Sequence, residues 1–194
     1  MGLAERVTAD TVEPFRAERL EQVFNRCFAQ SYNTRLLGGA DEPLYQPATV
    51  AGASNAIRYR QDYFASALHE VSHWCIAGAA RRRQLDFGYW YASEGRCVKQ
   101  QLAFERVERK PQALEWYFSK ACNYRFQVSA DNLALTTVGT LDTTTFPQAL
   151  LEQVLRWQAN GLPERAAVFY RALCSEFGTG VDAETLCFTL EDLR

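Results

Sequence analysis

The sequence predicts an α+β fold, mostly helical, with a small sheet packed beside a helix that carries an H-E-x-x-H motif. Over most of the chain, apolar residues recur at intervals of three and four, which is typical of amphipathic helices. Residues 56–60 instead alternate apolar and polar side chains, as a short strand does. No repeat or linker divides the 194 residues, so we expect residues 1–194 to form a single domain.

Composition and charge exclude several classes of protein. Hydrophobic residues make up 47% of the chain and aromatic residues 13%, which predicts a folded globule. The net charge of −2 argues against a general binder of nucleic acid or membrane surfaces. No apolar run approaches the roughly 18 residues that span a bilayer, and residues 1–10 lack the apolar centre of a signal peptide. We expect a cytoplasmic protein that acts as a monomer.

The six cysteines are scattered and include no C-x-x-C pair. Several fall in predicted helices beside apolar residues. This pattern indicates buried thiols in a reducing compartment rather than disulfides or a cysteine zinc site.

The two histidines of the chain stand four residues apart and form the H-E-x-x-H motif. On a helix, His69 and His73 project from the same face one turn apart, close enough to bind one metal ion. Glu70 lies beside that face and can exchange protons with a metal-bound water. Chance spacing of two structural histidines is the alternative.

The motif helix is predicted over residues 63–80, with Asp62 as its N-cap. Before it, residues 14–30 predict an amphipathic helix. Residues 33–47 predict a loop, because Gly38, Gly39, Pro43 and Pro47 interrupt it. This loop either lines a pocket with Asp41, Glu42 and Tyr45 or is a plain surface connection.

After the motif helix, Arg81, Arg82 and Arg83 complement the helix dipole or bind an acidic partner. Residues 86–91 predict an aromatic strand that either binds substrate or packs in the core. Residues 98–108 predict a helix that Pro111 breaks or restarts, and residues 112–126 continue it. The remaining predictions are a turn at 129–132, an irregular segment at 136–145, and helices at 147–160, 163–177 and 184–193.

A third metal ligand should be a carboxylate, because the chain has no third histidine. Cys75 lies on a different helix face from His73 and is a poor candidate. Glu105, Glu108 and, further on, Glu115 follow the motif at a distance typical of peptidases with two histidines and one glutamate. We favour Glu108, because a break at Pro111 would let the backbone there approach the metal helix.

Two histidines and one carboxylate are ambiguous in metal and in chemistry. With zinc, the set activates water for peptide hydrolysis, with Glu70 as general base. With ferrous iron, the same ligands support oxidation by dioxygen. From the motif alone, zinc hydrolysis is favoured.

The chain as a whole resembles the bacterial elongation factor P hydroxylases. The resemblance covers most of the chain from about residue 20 to 175 and is far more specific than the motif alone. The matching segments are residues 33–36, 41–43, 63–78, 86–91, 104–108, 110–114, 128–133 and 160–165.

The resemblance implies a cytoplasmic, monooxygenase-type enzyme that hydroxylates the lysine of elongation factor P after a β-lysyl group has been added. It implies that His69, His73 and Glu108 hold Fe(II), that Glu70 handles protons, and that dioxygen is the co-substrate. The fold would be zincin-like. No 2-oxoglutarate-binding pattern is evident, so the electron source is open. The alternatives are a zinc metallopeptidase with two histidines and one glutamate, and a protein with a structural metal only.

The implied substrate is a long side chain that carries amines. Acidic groups and apolar walls would match it. Asp41, Glu42 and Tyr45, together with residues 89–91 and Glu94, supply these residue types.

Overall fold

The computed structural model describes residues 14–87, 97–129 and 145–193. In these ranges the chain forms five α-helices and one three-stranded sheet, so the predicted fold class is confirmed. The elements are α1 (Ala17–Phe28), β1 (Thr34–Ala40), β2 (Leu44–Gln46), β3 (Asn55–Arg60), α2 (Phe64–Ile76), α3 (Val98–Ala121), α4 (Thr145–Asn160) and α5 (Glu164–Phe177), with 3-10 turns at Arg81–Arg83 and Leu190–Leu193.

The sheet has the order β1-β3-β2, with β3 parallel to β1 and antiparallel to β2. The strand predicted at residues 56–60 is therefore confirmed, but the loop predicted at 33–47 is wrong. Gly38 belongs to β1, where a Cβ atom would lie 2.6 Å from the Tyr59 hydroxyl oxygen. This glycine permits a close approach between neighbouring strands, although in the sequence it resembles a turn signal.

The core lies between the sheet and the helices. β3 packs against α2, β1 packs against α1, and α3 and α5 cover the other side of α2. The largest fully buried side chains are mainly aromatic, among them Trp116, Tyr59 and Tyr117. The helices predicted at 14–30, 147–160 and 163–177 are confirmed, with ends that differ by a few residues.

The motif helix α2 is shorter than predicted. Tyr63, not Asp62, is its N-cap and makes no side-chain capping bond, and the helix ends at Ile76. The Arg165 guanidinium from α5 donates to the carbonyls of Trp74, Cys75 and Ala77 at 3.1, 2.9 and 2.6 Å. A cation at this end satisfies carbonyls that have no partner within the helix and complements its dipole.

Helix α3 runs without interruption from Val98 to Ala121, so the break predicted at Pro111 is wrong. A proline inside a helix leaves the carbonyl four residues earlier without its usual hydrogen bond. That carbonyl belongs to Val107, which is exposed. From residue 111 to 119 every side chain is buried, and this packing outweighs the local cost.

Other predictions meet mixed outcomes. At 184–193 only Leu190–Leu193 is helical, as a 3-10 turn. The six cysteines are free, but Cys97 and Cys187 are exposed rather than buried. Asp86 exchanges backbone hydrogen bonds with Tyr45, whereas residues 88–91 lie outside the described ranges, as do 130–132 and 136–144. Among the residues that the structure describes, no helix has the length and apolar character needed to cross a membrane.

Candidate metal centre

The two histidines of α2 face each other across one helical turn. Their Nε2 atoms are 3.1 Å apart, and the rings meet edge to face with centroids 4.8 Å apart. Val71 and the other apolar residues on the opposite face bury the helix, and so fix the direction in which the histidines point. Both imidazoles are thereby directed towards α3.

Helix α3 brings Glu108 to the same point. One oxygen of its fully buried carboxylate is 3.1 Å from His73 Nε2, and the other is 3.5 Å from His69 Nε2. Ligands about 2.1 Å from one ion lie roughly 3.0–3.5 Å from each other. The three side chains therefore fit a divalent metal ion, and their donor set suits zinc or ferrous iron.

Glu105 does not join this group. Its carboxylate accepts a hydrogen bond from Gln101 Nε2 at 3.1 Å, one helical turn away and on the same helix. The structure thus brings His69, His73 and Glu108 together. The preference for Glu108 rested on a break at Pro111 that does not exist. Glu108 instead reaches the histidines because it lies on the face of the continuous helix α3 that meets α2.

Two further residues of α3 support the cluster, and sequence reasoning did not assign them these roles. Glu115 Oε2 lies 2.8 Å from His69 Nδ1. The Gln112 amide donates to Glu108 Oε2 at 3.3 Å and to the Ser129 carbonyl at 2.8 Å, and its oxygen accepts from the Ser129 N–H at 3.1 Å. Their spacing from Glu108, four and seven residues, is the signal that could have found them.

Glu70 lies on the other side of the histidine pair. It lines a small pocket with His73, next to Tyr45, Arg81 and Asp86. Tyr45 donates from its hydroxyl to the Arg82 carbonyl at 2.9 Å, and Arg81 forms an ion pair with Asp86. Among the described residues, the pocket is lined by Tyr45 but not by Asp41 or Glu42, which are exposed in the turn between β1 and β2. Residues 89–91 and Glu94 lie outside the described ranges.

The electrostatics of the cluster favour a cation. Burial alone would lower the pKa of His69, but the hydrogen bond to Glu115 and the charges of Glu115, Glu108 and Glu70 raise it to about 10. Burial raises the pKa of Glu70, although both histidines oppose the rise. Burial also raises the pKa of Glu115. Without a metal, the site therefore holds a proton on His69 among carboxylates that are costly to bury as anions.

The fold and the site together define a class: an α+β protein with a candidate metal centre of two histidines and one glutamate, formed by two packed helices. Comparison with known proteins is more specific. The model of the family described as elongation factor P hydroxylase matches residues 23–186, and the chain belongs to that family. The chain is 45% identical over 167 residues to the elongation factor P lysine hydroxylase of Haemophilus influenzae, covering 86% of this chain and 92% of that protein.

Proposed function

We propose that this chain is an iron-dependent hydroxylase that modifies a lysine of elongation factor P after a β-lysyl group has been added to it. One observation carries the metal-dependent part: His69, His73 and Glu108 converge within 3.5 Å of one another in a chain of the elongation factor P hydroxylase family. The relative from Haemophilus influenzae, named for the lysine of that factor, supports the choice of substrate.

His69, His73 and Glu108 would hold the metal. A ferrous ion bound there would supply the activation of dioxygen, as in other sites with two histidines and one carboxylate. Hydroxylation replaces a C–H bond with C–OH. The second oxygen atom leaves as water, which requires two electrons from an external reductant and two protons.

Glu70 would move one of those protons. Its carboxyl group is partly buried, shares a pocket with His73, and has a pKa raised by burial. A raised pKa makes the protonated form of a carboxyl group easier to hold, which suits a group that gives and takes protons. The same pocket would receive the substrate side chain, with Asp86 near the amines and Tyr45 along the methylene stem.

The remaining parts of the proposal concern the chain as a whole. Residues 1–194 would act as one hydroxylase domain and as a monomer, in the cytoplasm where translation takes place. The site would contact a protein substrate and no nucleic acid or membrane. The net charge of −2 supports this.

The test is the intact mass of elongation factor P. The β-lysylated factor is incubated with enzyme that has been loaded with Fe(II) without air, and is then exposed to dioxygen and a reductant. We expect a gain of one oxygen atom with iron and none with zinc. Cleavage of a peptide bond by the zinc-loaded enzyme would instead support the metallopeptidase alternative. A metal that binds but supports neither reaction would favour a structural role.

A further inference from the structure

The buried carboxylate of Glu115 on α3 contacts His69, although Glu115 is not one of the three candidate metal ligands. Glu115 lies seven residues after Glu108, two helical turns further along the same face, and both side chains are almost wholly buried. His69 lies between them: its Nε2 is 3.5 Å from Glu108 and its Nδ1 is 2.8 Å from Glu115. A single helix therefore contacts both nitrogens of one imidazole.

We propose that Glu115 is a positioning residue that fixes both the tautomer and the orientation of His69. A histidine that binds a metal is neutral, so only one of its nitrogens carries a proton, and a carboxylate can only accept. The Nδ1 atom of His69 must therefore be the donor to Glu115, which leaves the lone pair of Nε2 free on the side of His73 and Glu108. The inference rests on the proposed metal site and adds to it the group that prepares the ligand.

The geometry distinguishes this role from that of a fourth ligand. Glu115 contacts the nitrogen of His69 that faces away from His73. Among the described residues, the group whose ligand atoms all lie within 4.8 Å of one another consists of His69, His73 and Glu108 and does not include Glu115. A carboxylate behind a ligating histidine also makes that ring a stronger donor to the metal.

His73 has a different environment. Its Nε2 lies 3.1 Å from Glu108 on the metal side, and it lines the open pocket together with Glu70. The two histidines of the motif are thus unequal: α3 anchors His69 from behind, whereas His73 borders the pocket. Loss of Glu115 should therefore affect the ring signals of His69 far more than those of His73.

The experiment uses the full chain labelled with ¹⁵N-histidine and purified with a tag that contains no histidine. Because the chain has two histidines, four ring nitrogens give the whole spectrum. Zn(II) serves as a diamagnetic probe, and its dissociation constant is measured by competition with a chelator. The variants are Glu115→Ala and Glu115→Gln, and Glu105→Gln on the same helix is the control.

In the zinc-loaded wild type we expect a proton on Nδ1 of His69 that exchanges slowly with water, and metal at Nε2. Glu115→Ala should lose this slow exchange and bind zinc about 10–100-fold more weakly. Glu115→Gln can still accept the hydrogen bond through its amide oxygen. It should keep the tautomer and recover most of the affinity, but the Nδ1 proton resonance should shift because a neutral amide replaces the carboxylate as acceptor. Glu105→Gln should match the wild type.

Wild-type zinc affinity and an unchanged Nδ1 signal in Glu115→Ala would overturn the inference. If Glu115→Ala does not fold, Glu115→Gln decides, because an unchanged Nδ1 proton resonance there would show that the carboxylate does not contact the ring. Complete loss of zinc in both variants would make Glu115 a ligand, which also overturns the positioning role. Failure of the wild type itself to bind zinc or iron would instead refute the proposed metal centre. The outcomes described for the Glu115 variants concern the positioning role alone.

Discussion

The two sides of the histidine pair are built differently. On the α3 side, which we call the closed side, Glu108, Gln112 and Glu115 are buried. Glu115 contacts His69, Glu108 contacts both histidines, and Gln112 donates to Glu108 and to the Ser129 carbonyl. On the opposite side, Glu70 and Asp86 border a pocket. A buried carboxylate is costly unless a cation or hydrogen bonds compensate it, so the closed side suits permanent binding of a metal. The pocket side suits a group that enters and leaves.

The largest expected effect falls on the closed side. Glu108→Ala should abolish metal binding and hydroxylation, as should His73→Ala, because two remaining ligands hold a divalent ion weakly. Glu105→Ala is the matched control on the same helix and should retain the metal. Elemental analysis of the purified variants measures this. Full metal content in Glu108→Ala together with loss in Glu105→Ala would move the ligand to Glu105.

On the pocket side, metal content and activity should separate. Glu70→Gln should retain the metal but lose activity by about 100-fold or more, which is typical for removal of a proton-transfer group. Metal content and the single-turnover rate of hydroxylation are measured on the same sample. Loss of metal in this variant would show that Glu70 is a ligand and that the distinction between the two sides is wrong.

The closed side should also give the metal-free protein a characteristic pH dependence. The folded-state pKa of His69 is raised to about 10 from its ordinary value of 6.5. Protonation therefore favours the folded state. This stability is fully present below pH 6.5 and is lost as the pH rises from 6.5 to 10. The raised pKa values of Glu70 and Glu115 act in the same direction from their ordinary value of 4.5 upwards.

The check is a series of thermal melts with and without metal. In the metal-free protein, the melting temperature should fall between pH 6.5 and 10. Bound metal takes the place of the proton, so the metal-loaded protein should not show this fall. His69→Gln should remove most of the fall from the metal-free curve. A metal-free curve that stays flat over this range would show that His69 is not held as a cation.

The smallest expected effect concerns substrate amines. The pocket favours Asp86, whereas the sequence suggested Asp41 and Glu42. Asp86→Asn should raise the KM for modified elongation factor P by up to about fivefold, since a partly exposed charge pair contributes up to about 1 kcal/mol. Asp41→Ala with Glu42→Ala should change KM less.

Arg81→Gln is the control for Asp86→Asn, because it breaks the same ion pair but retains the carboxylate. An equal rise of KM in both variants would mean that the ion pair only shapes the pocket. A larger rise in the Asp41 and Glu42 double variant would restore the assignment made from the sequence.

The sequence predicted best those features that depend on neighbours along the chain. The helix around His69 and the strand at Asn55–Arg60 follow from local periodicity, and the family resemblance from motifs spread over the chain. Strand β1 was missed because its partner β3 begins about twenty residues later and its glycines resemble turn signals. Whether a glycine marks a turn or a close contact depends on residues such as Tyr59, which no local pattern reveals.

The site shows the same limit. The break at Pro111 that favoured Glu108 over Glu105 is absent, and which face of α3 meets α2 depends on tertiary packing. The continuity of the helix through Pro111 also depends on packing, since buried residues from 111 onwards outweigh the cost of the proline. The motif indicates which residues have metal chemistry, and the fold decides which carboxylates reach them.

The cap that Arg165 provides for α2 has a consequence for biosynthesis. The carbonyls of Trp74, Cys75 and Ala77 precede their partner by 88 to 91 residues in the chain. The ribosome makes the chain from its N-terminus at roughly 5–20 residues per second. The histidine-bearing helix therefore leaves the ribosome several seconds before the side chain that completes its end. We therefore expect the end of this helix, and with it the candidate metal centre, to be completed only after the last helices have been synthesised.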